Sequence, residues 1–453
     1  MADALQRARS AMAASGQWSG AQLVGRAVPV GCLALEITQR CNLDCTLCYL
    51  SESSQAVKDL PLEELFRRID DIARRYGAGT NVQITGGEPT LRPRAELVAI
   101  VQRAVEAGLR PALFSNGIRA SRSLLAQLCD AGLREVAFHV DTTQQRNGYA
   151  SEAELNALRD DYIERARGLP LAVYFNTTVH DANYDELPAL VRYFVSRSGA
   201  VRLASFQLQA DTGRGVLGAR GALVTPDNVA EQIRRGAGTA LDFDAVRVGH
   251  ARCNRYALAL IVNGMAYDAL DESAFIARFM AETAALPIDR LSWRRSALVL
   301  LAHGLRRPAF LLHAIGWLAR KGWQMKGDLL AGGGRVRKLT FFVHNFMDAG
   351  RLEQERIDAC VFAVATSEGP VSMCRHNAVR DAELLKPLPL PVGFWNPLTG
   401  ALEQRPPPRL IVEHSTKTAK GRVRKQIIGN HRTAERGDPE WPRSHQRQKQ
   451  SSR

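Results

Sequence analysis

Cys41-Asn-Leu-Asp-Cys45-Thr-Leu-Cys48 is the stretch that decides how this chain is read. Three of the eight cysteines fall within these eight residues. A C-x3-C-x2-C loop can wrap three thiolates around one small inorganic object. Structural zinc takes four protein ligands, and no fourth Cys or His lies nearby in sequence. Three thiolates on a four-iron cluster leave one iron open to a non-protein ligand, and thiolate is the ligand that such clusters use.

Working outward, Leu33 to Ile37 has a strand pattern and feeds the cysteine loop directly. Leu62, Leu65, Phe66, Ile69, Ile72 and Tyr76 recur at helical spacing and predict one apolar helix face. Val82 to Ile84 predicts a strand that runs into Gly86-Gly87-Glu88-Pro89. A helix is expected over 95–107, a strand over 112–114 ending in Ser115-Asn116-Gly117, and a helix over 121–130. Strands over 135–140, 171–177 and 201–208, with helices over 152–167 and 186–195, continue the pattern. Six strands alternating with helices argue for an α/β fold with a parallel sheet and crossover helices. The polar residues gather at strand C-terminal ends, where barrel active sites form.

The cysteine loop after the first strand and Gly-Gly-Glu-Pro after the second together resemble the radical S-adenosylmethionine (SAM) superfamily. The resemblance covers about residues 32–210 and implies a partial (β/α)6 TIM-like barrel. It implies that Cys41, Cys45 and Cys48 hold a [4Fe–4S] cluster, with the SAM amine and carboxylate on its open iron. Gly86, Gly87, Glu88 and Pro89 would meet the methionine amine, and Ser115 and Asn116 the methionine carboxylate or ribose. The implied activity is reductive cleavage of SAM to a 5′-deoxyadenosyl radical, which abstracts hydrogen from an unactivated carbon. One departure is Leu47, where the family often has an aromatic residue.

Strand ends beyond these motifs are expected to meet SAM or substrate. His139 and Asp141 lie in Phe-His-Val-Asp, Asn176 ends Tyr-Phe-Asn, and Gln207 and Gln209 alternate with Phe206 and Leu208. Alternation puts such residues on one face of a strand. Arg202 and Arg214 are candidates for an anionic group. Cys32 and Cys129 sit in apolar patterns and read as buried thiols.

Residues 216–404 read as an additional C-terminal α+β region for substrate or an auxiliary cluster. Cys253, Cys360 and Cys374 lie there with no C-x2-C pair. Two readings stand: unrelated thiols, or a second iron–sulfur cluster completed by His250 or His376. Gly-His-x-x-Cys and Ser-Met-Cys-x-His-Asn look like the branch of the superfamily that contains pterin-methylating and tetraether-lipid-forming enzymes. Residues 1–31 form an N-terminal extension without the extra cysteine pairs of those relatives.

The composition, with 45% hydrophobic and 23% charged residues, is globular and excludes a wholly disordered chain. Formal net charge is +14. Residues 405–453 hold 13 Lys or Arg against 4 Asp or Glu and so carry +9 of it, leaving +5 for the body. This stretch reads as a disordered basic tail, either solubilising or a contact for an anionic partner. No signal peptide is expected in 1–31, and the few cysteines suit a reducing, cytoplasmic compartment. Ser296–Leu305 and Ala309–Ala319 are apolar runs of 10 and 11 residues, short of the ~20 that span a bilayer. Edged by Arg and Trp, they read either as buried helices or as segments in a membrane interface.

These readings lead to an expected SAM-dependent radical enzyme that methylates, or forms a carbon–carbon bond on, a small or lipid-like substrate. Its electron would come from a carrier such as flavodoxin or ferredoxin. The alternatives are RNA or peptide modification by the same chemistry, with nucleic acid engaged through the tail, and a non-catalytic iron–sulfur electron-transfer or scaffold protein.

Overall fold

The computed structural model describes residues 2–288 and 293–407. Helix α1 (Ala2–Ala14) precedes the first six strands: β1 (Cys32–Thr38), β2 (Asn81–Gly86), β3 (Arg110–Ser115), β4 (Glu135–His139), β5 (Ala172–Val179) and β6 (Val201–Leu208). The crossovers between them are α2 (Leu62–Tyr76), α3 (Arg94–Glu106), α4 (Arg122–Asp130), α5 (Asn156–Ala166) and α6 (Leu187–Ser196). These are the elements expected from the sequence, with ends moved by a few residues.

Helix α7 (Pro226–Ala237) then leads to the hairpin β7 (Asn254–Val262) and β8 (Met265–Asp268). Four helices follow: α8 (Ser273–Thr283), α9 (Trp293–Arg306), α10 (Pro308–Gln324) and α11 (Lys326–Ala331). Strand β9 (Val336–His344), helix α12 (Gln354–Asp358), strands β10 (Phe362–Thr366) and β11 (Gly369–Ser372), and helices α13 (Met373–Ala378) and α14 (Arg380–Leu384) come next. A small sheet of β12 (Leu388–Leu390), β13 (Gly393–Trp395) and β14 (Leu402–Glu403) ends the described chain. The expected basic tail lies, from residue 408 on, outside the described residues.

The main sheet has eleven strands in the order β11-β10-β1-β2-β3-β4-β5-β6-β9-β7-β8. Pairing is parallel from β10 through β9 and antiparallel at both edges. The C-terminal region thus extends the barrel strands on both sides. No hydrogen-bonded pairing joins β9 to β10 among the described residues. Their side chains meet instead: Phe362 lies edge-on to Phe342 at 6.1 Å and to His344 at 4.8 Å between ring centroids. The end of β9 meets the start of β10, the stagger that a tilted barrel requires where its edges come together.

One face of each strand supports the core under the helices. Leu33, Leu35 and Ile37, Val82 and Ile84, Val136 and Phe138, and Phe175 are buried there. Phe138, Phe175, Phe194 and Phe206 form a row with centroid spacings of 6.0, 5.7 and 6.5 Å. Burial of each such side chain stabilises by about 1.5–3 kcal/mol. The alternate residues, among them Glu36, Thr38, His139, Asn176, Thr178, Ser205, Gln207 and His344, face the barrel interior. A second core cluster joins Met12 and Val24 to Val246, Val248, Ile276 and Val361. The Gln22 amide pins this join, exchanging hydrogen bonds of 3.0 Å with the Gly249 backbone in both directions.

Candidate active site

The cysteine loop, the glycine turn and the ends of β3 and β4 sit at one end of the parallel strands. The turn can form only with glycine. Gly86 has φ +125°, and a Cβ there would stand 2.1 Å from the Thr38 carbonyl oxygen. At Gly87 a Cβ would stand 2.0 Å from the Arg40 oxygen. Freed of side chains, the Gly87 and Glu88 amides donate to the Thr38 and Arg40 carbonyls, each at 2.8 Å. The turn is thereby locked against the root of the cysteine loop.

Glu88 is fully buried. Its carboxylate accepts from Thr90 N at 3.1 Å, Thr90 Oγ1 at 2.6 Å, Ser115 Oγ at 2.8 Å and Asn116 N at 2.7 Å. Burial pushes this carboxyl above its ordinary range, against the pull of those bonds. Glu88 therefore ties the end of β2 to the end of β3. Ser115 Oγ also accepts from Gly117 N at 2.9 Å, so its proton and one lone pair are engaged inside the protein. The Asn116 amide bonds Asn42 Oδ1 at 2.7 Å, joining β3 to the cysteine loop.

Cys48 lies close enough to Cys41 and Cys45 to act on both thiols. Burial, then the Cys48 thiol, then Glu88 push Cys41 up to about 12. Burial and the other two thiols raise Cys45 as well. Three thiols so placed ionise together only when a cation neutralises them, which is what binding a metal group supplies. Among the described residues no group of three or more His, Cys, Asp or Glu side chains suits a single metal ion. A lone zinc holds sulfur at ~2.3 Å, whereas a four-iron cube spreads its thiolates farther apart. Three thiols on one loop are a donor set that thiolate-ligated iron–sulfur clusters use.

Cationic groups surround the loop. Arg214, just after β6, donates to the Leu43 carbonyl at 2.9 Å and lies 3.5 Å from Asp44. Despite burial, Cys48, Asp44 and Cys41 hold its guanidinium above the ordinary arginine range. Its segment straps the loop: Arg214 N donates to Leu50 O at 2.7 Å and Val216 N to Thr46 O at 2.8 Å. Arg146 bonds the Asn116 carbonyl at 2.7 Å and acts on Cys45 from the other side. Arg380 stacks over the Tyr49 ring at 4.7 Å, and the Tyr49 hydroxyl donates to Gly86 O at 2.5 Å. Thiolate clusters carry net negative charge, and such charge and solvent exposure set their potential.

On the interior wall, His139 Nε2 lies 2.7 Å from Asp141 Oδ2 and 3.1 Å from Thr178 Oγ1. Burial pushes Asp141 up, but His139 and hydrogen bonds from Thr143 and Thr178 outweigh it and hold the carboxyl well below its ordinary range. Asn176 pairs with His139 across β4 and β5, and the buried Ser205 hydroxyl has no partner among the described residues. Gln207 sits in register with His344, while Gln209 turns to the Gly218 carbonyl at 2.7 Å. Arg202 turns to the Ser198 carbonyl at 3.2 Å.

The three distal cysteines converge at the β9–β10 seam. Cys374 feels both Cys360 and Cys253, although burial is the main cause that raises it to about 12. Arg356 donates to Cys253 Sγ at 3.2 Å, and Met347 N lies 3.5 Å from Cys374 Sγ. His250 shares a turn with Cys253, whereas His376 faces Glu36 at 3.4 Å. Sequence reasoning missed Arg146, Arg380 and Tyr49. Tyr49 could have been found as the residue after Cys48; Arg380 had no local signal.

Residues 35–194 match the model of the Radical SAM superfamily, so the chain carries a radical SAM domain, of the kind that binds a [4Fe–4S] cluster and SAM. A stretch of 186 residues is 27% identical to the 7,8-dihydro-6-hydroxymethylpterin dimethyltransferase of Methanocaldococcus jannaschii, over 40% of this chain and 36% of that one. A stretch of 181 residues is 32% identical to the PqqA peptide cyclase of a Methylobacterium species (strain 4-46), over 39% of this chain and 45% of that one. The match thus spans less than half of either relative. Among solved structures, Streptococcus suis SuiB aligns with TM-score 0.34 at 14% identity over 44% of this chain and 45% of that one. The methyltransferase TsrM of Kitasatospora setae aligns with TM-score 0.31 at 14% identity over 40% and 37%.

Proposed function

We propose that the chain is a radical SAM enzyme acting on an unactivated carbon of a small or lipid-like substrate, by methylation or carbon–carbon bond formation. The observation that carries this reading is one end of a barrel that presents a glycine-locked cysteine loop beside a polar interior wall. In it, Cys41, Cys45 and Cys48 hold the [4Fe–4S] cluster, and the Gly86–Pro89 turn with Asn116 borders SAM. When bound, the reduced cluster and SAM supply a carbon radical able to abstract hydrogen. Arg146 and Arg214 offset the negative charge of the thiolates. His139, steadied by Asp141, can take or return a proton at its imidazole, and Asn176, Ser205 and Gln207 orient substrate. The electron comes from a small carrier such as flavodoxin or ferredoxin. A cluster held by reduced thiolates suits a reducing, cytoplasmic setting.

Anaerobic reconstitution tests it. The expected result is an oxygen-sensitive cluster of four irons and SAM-dependent release of 5′-deoxyadenosine or methionine. Absence of the cluster in wild type, or an iron content in the Cys41/Cys45/Cys48 triple alanine variant equal to that of wild type, overturns the assignment. The convergence at the seam supports a second reading, that Cys253, Cys360 and Cys374 bind an auxiliary cluster with His250 nearby. Iron above four per chain, part of it retained in the triple variant, is then expected; no iron left in that variant counts against it.

A further inference from the structure

Helices α9 and α10 form a hairpin whose inner and outer faces differ. The inner face is aromatic: Phe275 stacks on Trp317 at 5.9 Å and Phe279 on Phe310 at 5.9 Å, tying the hairpin to α8. Lys321 is buried, donating to the Asp268 carbonyl at 2.6 Å and pairing with Asp271. The hairpin is thus firmly seated beside the β7–β8 edge. Its outer face is apolar. Leu298, Leu301 and Leu305 on α9 are 50–67% exposed, and Leu312, Ile315 and Leu318 on α10 are 52–69% exposed. Beyond them Trp323 is 71% and Leu330 85% exposed, with Lys326 Nζ 3.5 Å above the Trp323 ring.

Charge selects the occupant. From Trp293 to Gly327 there are seven Lys or Arg and no Asp or Glu, and apart from the buried Lys321 and from Arg320, which pairs with Glu272, five of them bear on the surface charge. Arg335 and Arg337 extend the basic surface at the start of β9, both exposed. A second copy of the chain would set this cationic face against another like it. Leucine ridges with Trp, bounded by Arg and Lys, match a helix lying in the headgroup–acyl boundary. No helix among the described residues is long and apolar enough to cross a membrane.

We propose that the α9–α10 hairpin docks the protein on an anionic lipid surface, its leucine ridge inserted and its basic groups among the headgroups. The reading stands independently of the reaction at the barrel end. The test is co-sedimentation of the full-length protein with vesicles of phosphatidylcholine alone or with one third phosphatidylglycerol, at low and high salt. Wild type is expected to bind the anionic vesicles, to bind neutral ones at least tenfold more weakly, and to lose affinity with salt. Leu305→Glu/Leu312→Glu, at exposed sites with an unchanged far-UV spectrum and melting point, should lower affinity at least tenfold. Brominated lipid should quench tryptophan emission in wild type, less so in Trp323→Phe. No binding by wild type overturns the proposal. Equal binding by the double variant does so too, because it places the contact elsewhere, for instance on the basic tail. A wild-type dimer that the double variant abolishes, without vesicle binding, gives the ridge to a second copy and likewise overturns it.

Discussion

The Glu88 carboxylate receives hydrogen bonds from three residues on two strand ends, so its removal strands several donors at once. Each buried group left unpaired costs about 1–3 kcal/mol. Glu88→Ala should lower the free energy of chemical denaturation by about 3 kcal/mol or more. Glu88→Gln should lower it less, since one amide end still accepts. Asp141 makes a pH prediction. Its carboxyl lies below the ordinary 3.8 in the folded protein, so the stability it contributes is present above about pH 4 and is lost as pH falls toward the folded value. The stability gap between wild type and Asp141→Asn should be full at pH 7 and narrow below pH 4, read from urea curves at each pH. A gap that widens in acid would assign the stabilisation to other groups.

At the scale of elements, the Gly86–Pro89 turn and the cysteine loop act as one unit, joined by the Gly87–Thr38 and Glu88–Arg40 hydrogen bonds. Gly87→Ala must push the Arg40 carbonyl away from its 2.0 Å clash with the new Cβ. Bound iron after reconstitution should fall severalfold while helix content, by far-UV circular dichroism, stays. The first six strands and their crossovers were legible because each carries its own signal: Leu65, Ile69 and Ile72 mark the buried face of α2, and Phe138 and Phe175 alternate with polar neighbours. The grouping of Cys41, Cys45 and Cys48 in one loop was legible from their spacing. The edges of the sheet were not. Strand β10 is five residues, Phe-Ala-Val-Ala-Thr, and pairs with β1 from far along the chain. Nor does any local pattern tell that Arg214 returns to the cysteine loop, or that the leucines of α9 and α10 point outward rather than into a core.

For the whole molecule, one buried ion pair joins the C-terminal region to the first strand. Arg380 of α14 meets both oxygens of Glu36 at 2.8 Å, with His376 at 3.4 Å and Gln39 alongside. Burial alone would raise Glu36, yet Arg380 and His376 hold it well below its ordinary range. Removing one partner of such a pair costs about 3–5 kcal/mol, because the other charge is left buried, whereas replacing both with apolar groups is often near neutral. Arg380→Met should therefore destabilise strongly, and Glu36→Leu/Arg380→Met should recover much of the loss in thermal melts. Equal loss in both would locate the effect in packing rather than charge.

The pairing of Cys32 with Phe362 carries a consequence in time. A ribosome adding ~5–20 residues per second needs tens of seconds to travel from one to the other. Through that interval the outer edge of β1 has no neighbour, and the cysteine loop at its end stands on an unfinished wall. The thiols at the end of β1 are therefore most open to solvent on the nascent chain, before the last strands arrive and Arg380 bolts the C-terminal region to Glu36. Access to the loop and closure of the sheet are set in that order by the connectivity of the chain.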